Sequence, residues 1–366
     1  MVPGSGARVG PLHLADADEP PLPGPGWHRI RPRLAGICGS DLATIDGKSS
    51  RYFEPLVSFP FVPGHEIVAD SDRGRVVVEP VLSCLPRGID PPCGSCAAGR
   101  TGSCQNLALG RLGPGLQTGY CADTGGGWST ALVAHDSQLH PVPDEMSDEA
   151  AVMVEPAACA VHAAHRPGDE QPATVVVLGA GTLGLCTIAA VRSHLRPGTL
   201  LASAKHPEQR RLALELGADA VVEPGEVRRA VRRISRSPMV GAAVGEGADV
   251  VYDCVGSAAS IDDALAVVRP RQQVVLVGMP GRVTVDLTGL WHKEIRLVGA
   301  YAYGVEEGGP RTFDLAFELV RDAGLARLVS AAYPLDRYRD AIDHAANAGS
   351  RGAVKVVFDL RGEKHR

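Results

Sequence analysis

An apolar run, Thr174 to Leu178, passes directly into Gly179-Ala180-Gly181-Thr182-Leu183-Gly184 and then into a helix-like stretch, Leu183 to Arg192. Few local patterns restrict a fold so tightly. Glycine at 179 permits a tight turn, at 181 it lets backbone approach a pyrophosphate, and at 184 it lets helix pack closely on strand. The helix N-terminus, with Thr182 and Leu183 in its first turn, offers unbonded N–H groups to the anion. Alone, such a motif can be a structural turn. Here apolar and helix-like segments keep alternating: Thr199 to Ala202, Glu208 to Leu216, Asp249 to Tyr252, Ser260 to Val268, Gln273 to Val277. That alternation predicts βαβ units on a parallel sheet, and hence a doubly wound α/β dinucleotide-binding domain over 158–298.

The flanks have a different texture. Residues 1–157 are rich in Gly and Pro, with short apolar runs at Ile67 to Ala69 and Arg75 to Val81, and predict a compact β domain with long loops. Beyond Leu297 the alternation stops, and a helix-like Thr312 to Ala323 leads to a final apolar run, Ala353 to Leu360. The tail, 299–366, is therefore assigned to the first domain. A length of 366 residues accommodates two domains, and 45% hydrophobic with 22% charged residues excludes a disordered or coiled-coil chain. The net charge is −5, and the crowded Arg228, Arg229, Arg232, Arg233 and Arg236 predict the solvated face of a helix, so no nucleic-acid partner is expected. With no signal-peptide pattern and no run of about 18 apolar residues, the expectation is a cytoplasmic protein without a membrane span.

The second strand of a dinucleotide domain usually ends in an acid that holds the ribose hydroxyls. Here the run is Leu200-Leu201-Ala202-Ser203-Ala204-Lys205-His206, with Ala204 where the acid would stand. Ser203 offers a hydroxyl, and Lys205, His206 and Arg210 offer positive charge, as a 2′-phosphate requires. NADP is the preferred cofactor on this reading, with NAD as the alternative and Lys205 and Arg210 then ordinary surface cations.

Cys38, His65, Glu66 and Glu155 supply one thiolate, one imidazole and two carboxylates, which suits a zinc shell with an open position. Four further cysteines, Cys84, Cys93, Cys96 and Cys104, fall close together, and in a cytosolic chain such clustering points to metal before disulfide. Cys121, Cys159, Cys186 and Cys254 stand apart and read as buried thiols.

Taken in order, GICGSD at Gly36 to Asp41, GHE at Gly64 to Glu66, the cysteine cluster, VEP at Val154 to Pro156, GAGTLG at Gly179 to Gly184 and a terminal VKVVF resemble the zinc-dependent medium-chain alcohol dehydrogenases. The likeness is to their polyol, sugar and threonine dehydrogenase-like branch, from about Arg33 to Phe358. It implies a GroES-like catalytic β domain split around a Rossmann domain, and a homodimer or homotetramer. It further implies that Cys38, His65 and Glu155 hold a catalytic zinc with Glu66 as a fourth or exchangeable ligand. Asp41 would orient His65 or else cap a helix, and Ser40 would hydrogen-bond the substrate hydroxyl and begin proton removal. Val277, Gly278 and Met279 would meet the nicotinamide carboxamide, and Tyr301 would line the cleft or pack between domains.

The chain departs from the family twice. The structural-zinc pattern C-x2-C-x2-C-x7-C survives as Cys93-x2-Cys96-x7-Cys104, but eight residues, Leu85 to Pro92, separate Cys84 from Cys93. A loop of that length can return its thiolate, stiffened by Pro91-Pro92, so a structural zinc is expected, with a vestigial lobe of free thiols as the other reading. The relay histidine five positions after the first zinc cysteine is replaced by Ala43, leaving proton release to Ser40, the ribose and water, or to a histidine such as His135 or His162. The implied reaction is hydride transfer between a secondary alcohol of polyol, sugar, cyclitol or hydroxy amino acid type and NADP or NAD. Two alternatives are a zinc-independent reductase of an activated double bond and a non-catalytic nucleotide-binding derivative. Neither the Gly125 to Ser129 segment nor the Tyr52-Phe53-Glu54 loop names a substrate.

Overall fold

The computed structural model describes residues 12–168, 171–237, 239–240, 243–306 and 309–362. The chain forms two units, Met1–Glu155 with Tyr303–Arg366, and Pro156–Ala302. The breaks thus fall at 155/156 and 302/303, where the sequence suggests 157/158 and 298/299.

The inserted unit is a six-stranded sheet in the order Arg296–Gly299, Val268–Leu276, Ala248–Asp253, Thr174–Leu178, Thr199–Ser203, Ala220–Val222. Every neighbouring pair is parallel. A central parallel strand is covered on both faces, which demands a continuous apolar run rather than alternation, and Val175, Val176 and Val177 are accordingly fully buried. Strand order reverses between Thr174–Leu178 and Ala248–Asp253, the switch point where open α/β sheets bind ligands. The arginine-rich segment forms the helix Val227–Ser235, with Val227 and Val231 buried and Arg229, Arg232 and Arg233 exposed.

In the other unit the long strand Trp27–Gly36 organises the sheet. It pairs antiparallel with Leu132–His135, Ile67–Ser71 and the C-terminal Lys355–Asp359, so the two ends of the chain share one sheet. Its alternating inward residues, Ile30 and Leu34, are fully buried. The Gly125 to Ser129 segment is a structural clamp: Trp128 donates from Nε1 to Gly36 O at 3.1 Å and packs edge-on against Phe358. Gly127 N and Trp128 N donate to Gly64 O and Pro63 O, at 2.8 and 3.0 Å, which holds the strand entry just ahead of His65. Among the described residues no helix is long and apolar enough to cross a membrane.

Candidate functional site

Register brings the first donor set together. Ala35 pairs with Ile67 and Gly36 with Val357, so Cys38, just past one strand, lies beside His65 and Glu66, just before the next. Ligand atoms of Cys38, His65 and Glu66 all lie within 4.8 Å of one another. His65 and Glu66 are buried. Asp41 faces both groups that the sequence suggests for it. Its Oδ2 accepts from Cys38 N at 2.9 Å at the start of the helix Gly39–Ile45, and its Oδ1 faces His65 Nδ1 at 3.4 Å without a well-aligned hydrogen bond. Burial works against a charged His65, yet Asp41 and Cys38 hold its imidazole well above the ordinary value.

Glu66 meets a partner that the sequence reading missed. Lys355 Nζ, 2% exposed, donates to Glu66 Oε1 at 2.6 Å and to Ile37 O at 3.3 Å. Glu155, in the first turn of the helix Val154–His165, stands outside the closest trio, and its Oε1 accepts from the Tyr303 hydroxyl at 3.1 Å. Burial pushes the Glu155 carboxyl up to about 7. His65 opposes that rise, Glu66 adds to it, and Tyr303 and Lys355 pull it down. A half-buried thiol and the buried carboxylates of Asp41, Glu66 and Glu155 outnumber the Lys355 ammonium and the His65 imidazole, and so carry surplus negative charge once ionised. A divalent cation relieves such a surplus, so these residues fit zinc. Ser40 lies half-buried beside Tyr120, whose hydroxyl donates to Asp41 Oδ1 at 3.4 Å. His135 is engaged elsewhere, at 2.9 Å from Ser137 Oγ and edge-on to Trp27.

The second donor set is Cys84, Cys93, Cys96 and Cys104, again within 4.8 Å of one another. Cys84 Sγ and Cys104 Sγ are 3.7 Å apart, close to the edge of about 3.8 Å that a zinc tetrahedron with bonds of about 2.3 Å would have. Backbone N–H groups of Cys93, Gln105 and Asn106 donate to Cys84, Cys93 and Cys104 sulfurs. At Cys93 slight burial works upward, but hydrogen bonds from the N–H groups of Gln105 and Cys96 and from the Cys96 and Cys84 thiols outweigh it and bring the thiol down to about 6. Burial pushes Cys96 and Cys104 up. The inserted loop is pinned by Arg87, fully buried, whose guanidinium donates to the carbonyls of Leu82, Leu109, Leu112, Gly113 and Gly115 at 2.6 to 3.2 Å. Of the remaining thiols, Cys121 and Cys186 are buried, whereas Cys159 and Cys254 are partly exposed.

In the inserted unit, Gly179 to Gly184 follow the strand at the switch point. A Cβ at Gly184 would lie 1.9 Å from Gly179 O, so only glycine allows this helix to sit so close, while one at Gly181 would meet nothing within 4 Å. The helix Thr182–His194 opens there. Ser203 and Ala204 are buried at the end of the second strand, Lys205 is exposed, and His206 and Arg210 are half-buried. Arg210 donates to Glu223 Oε1 at 2.8 Å. Val277 N and Gly278 N both donate to Asp253 O at 2.9 Å, Met279 is 39% exposed and Tyr301 49%. Val277 to Met279 thus follow the strand beyond the switch point, and Tyr301 belongs to this unit's solvated surface, whereas Tyr303 belongs to the other unit and reaches Glu155.

Comparison with known proteins agrees with this geometry. Residues 24–144 match the alcohol dehydrogenase GroES-like domain and residues 182–322 the zinc-binding dehydrogenase domain. Among curated relatives, sorbitol dehydrogenase of Arabidopsis thaliana is 28% identical, covering 93% of this chain and 90% of the relative. L-idonate 5-dehydrogenase of Vitis vinifera is 27% identical over the same shares. Among solved structures, a protein from Sinorhizobium meliloti 1021 assigned to the zinc-binding dehydrogenases and bound to NADP superimposes with a TM-score of 0.71, at 26% identity and 93% coverage of both chains. These relatives and the intact donor sets do not favour a zinc-independent reductase. The chain belongs to the zinc-dependent medium-chain alcohol dehydrogenase family, in the branch of polyol dehydrogenases, and is an oxidoreductase that moves a hydride between an alcohol and a nicotinamide dinucleotide.

Proposed function

We propose that this enzyme interconverts a secondary alcohol of a polyol, sugar, cyclitol or hydroxy amino acid and its ketone with NADP in preference to NAD, as a cytoplasmic homodimer or homotetramer. The observation that carries the reading of the chemistry is the gathering of Cys38, His65 and Glu66 donor atoms within 4.8 Å. Cys38, His65, Glu66 and Glu155 would hold zinc, which when bound supplies Lewis acidity at the substrate oxygen. Asp41 orients His65. Ser40 would hydrogen-bond the substrate hydroxyl and accept its proton while giving up its own hydroxyl proton toward solvent, since Ala43 supplies no histidine at the relay position. Cys84, Cys93, Cys96 and Cys104 would hold a second, structural zinc.

Gly179, Gly181, Thr182, Leu183 and Gly184 seat the pyrophosphate, and the backbone of Val277, Gly278 and Met279 meets the carboxamide. NADP is preferred because Ala204 places no carboxylate against a 2′-phosphate, and Ser203, Lys205, His206 and Arg210 offer it a hydroxyl and positive charge. Reduction of NADP and NAD in parallel, over polyols, aldoses, cyclitols and L-threonine, should give turnover of one hydroxyl class with NADP the faster cofactor. Ala204→Asp with Lys205→Ala should then invert the cofactor ratio, by about tenfold or more for the lost charge contacts. An unchanged ratio would mean that the 2′-phosphate is held elsewhere.

A further inference from the structure

The four-cysteine lobe and Glu155 are joined by one residue. Between Cys96 and Cys104 the lobe makes two tight turns, Gly99 N donating to Cys96 O at 3.0 Å and Cys104 N to Thr101 O at 3.1 Å. Both turns grip the segment that begins at Tyr303. Gly102 N and Thr101 Oγ1 donate to Tyr303 O at 3.2 and 3.3 Å, and Val305 N donates to Gly99 O at 2.9 Å. The approach is too close for side chains: a Cβ on Gly304 would lie 2.4 Å from Gly99 O. The Tyr303 ring, 2% exposed, is fixed edge-on against buried Phe313 at 4.8 Å between centroids. Its hydroxyl then donates to Glu155 Oε1 at 3.1 Å.

We propose that Tyr303 is a positioning residue that orients the Glu155 carboxylate at the Cys38–His65–Glu66 centre and takes its own position from the four-cysteine lobe, so that metal in the lobe governs metal retention at that centre. The proposal rests on the zinc reading given above. A group that donates to a ligating carboxylate fixes which oxygen lone pair faces the metal, and loss of such a partner weakens a metal site by about tenfold to a hundredfold. The lobe acts in the same direction. With its thiolates tied to one ion, the Cys96-to-Cys104 turns are rigid and Tyr303 O is held, whereas a metal-free lobe frees the turns and with them the phenol.

The test uses the full-length zinc protein and its cobalt-substituted form. Wild type should carry two zinc ions per chain, released in separate phases by a chelator. Tyr303→Phe, which keeps the ring, should release the Cys38-site metal about tenfold faster and alter the visible cobalt spectrum of that site, with lobe zinc and the unfolding midpoint unchanged. Cys104→Ser should lose the lobe zinc and show the same fast release at the Cys38 site. In a Glu155→Gln background, Tyr303→Phe should add nothing, since the pair acts as a unit. Two zincs with wild-type release and spectrum in Tyr303→Phe, or a lobe-free variant with an unaltered Cys38 site, would overturn the coupling alone. Fewer than two zincs in wild type would overturn the zinc reading, and the coupling with it.

Discussion

Asp148 shows how much one carboxylate can organise. Its side chain is 4% exposed and accepts from Arg33 Nε at 2.9 Å, from Arg75 at 2.9 Å and from Arg361 at 3.4 Å, which ties strand Trp27–Gly36, strand Gly74–Val78 two places along the sheet and the C-terminal segment together. Burial works to raise its pKa, but the hydrogen bonds from Arg75 and Arg33 outweigh it and hold the group below the ordinary value. A carboxyl depressed in the folded state stabilises fully above its unfolded pKa, near 4, and the contribution fades as pH falls through the lower folded value. Asp148→Asn should therefore cost about 2 kcal/mol at pH 7, discounted because the arginines are partly solvated. Chemical denaturation should show the gap to wild type narrowing below about pH 4, and a gap that persists there would assign the loss to packing. At this scale the sequence reading found donors and missed their partners. Cys38, His65 and Glu66 stand out by residue type, but Lys355 sits inside a run that reads only as strand. Tyr303 hides behind Tyr301, because the left-handed backbone at Ala302 (φ 54°) breaks the alternation by which one would place them.

Elements were legible where burial is two-sided. The central strands of the inserted unit are uninterrupted apolar runs, and strand Thr174–Leu178 and helix Thr312–Asp322 lie where the sequence places them, to within a residue. The outer strands Ala220–Val222 and Arg296–Gly299 were not foreseen, since a short edge strand with half-buried or charged residues carries no periodic signal. Nor did the inserted loop show its anchor. Prolines suggest stiffness, but the loop is held by Arg87, which offers its guanidinium to carbonyl oxygens drawn from Leu82 to Gly115 and so replaces a ladder that this irregular backbone lacks. Arg87→Met keeps the volume and removes the donors, leaving buried carbonyls unpaired. It should destabilise by about 3 kcal/mol and lower lobe zinc content, read by thermal unfolding and metal analysis; full zinc with unchanged melting would show that the loop holds itself.

The two-unit plan was legible for a reason of scale: a change of texture near 158 and its reversal near 298 mark an insertion even when single strands are obscure. The inserted unit also leaves an exposed apolar margin. Arg296–Gly299 pairs with Val268–Leu276 on one side only among the described residues, and nearby Trp291 is 78% exposed and Leu287 53%. Such an edge is a template for association, and light scattering should find a dimer that Trp291→Glu with Leu297→Lys converts to monomer; a dimer unaffected by the pair would lie on another face. A further consequence follows from strand Trp27–Gly36 pairing with Lys355–Asp359. The ribosome delivers Cys38 and the four-cysteine cluster early, and the buried Tyr303 and Lys355 late. The inserted unit is contiguous and can close as it emerges, while the unit around it waits with its thiols made and its sheet open along one strand. A premature stop just ahead of Lys355 would spare all nine cysteines and the entire nucleotide fold, and still remove both the ammonium that holds Glu66 and the strand whose Val356 O holds Ile37 N, next to Cys38.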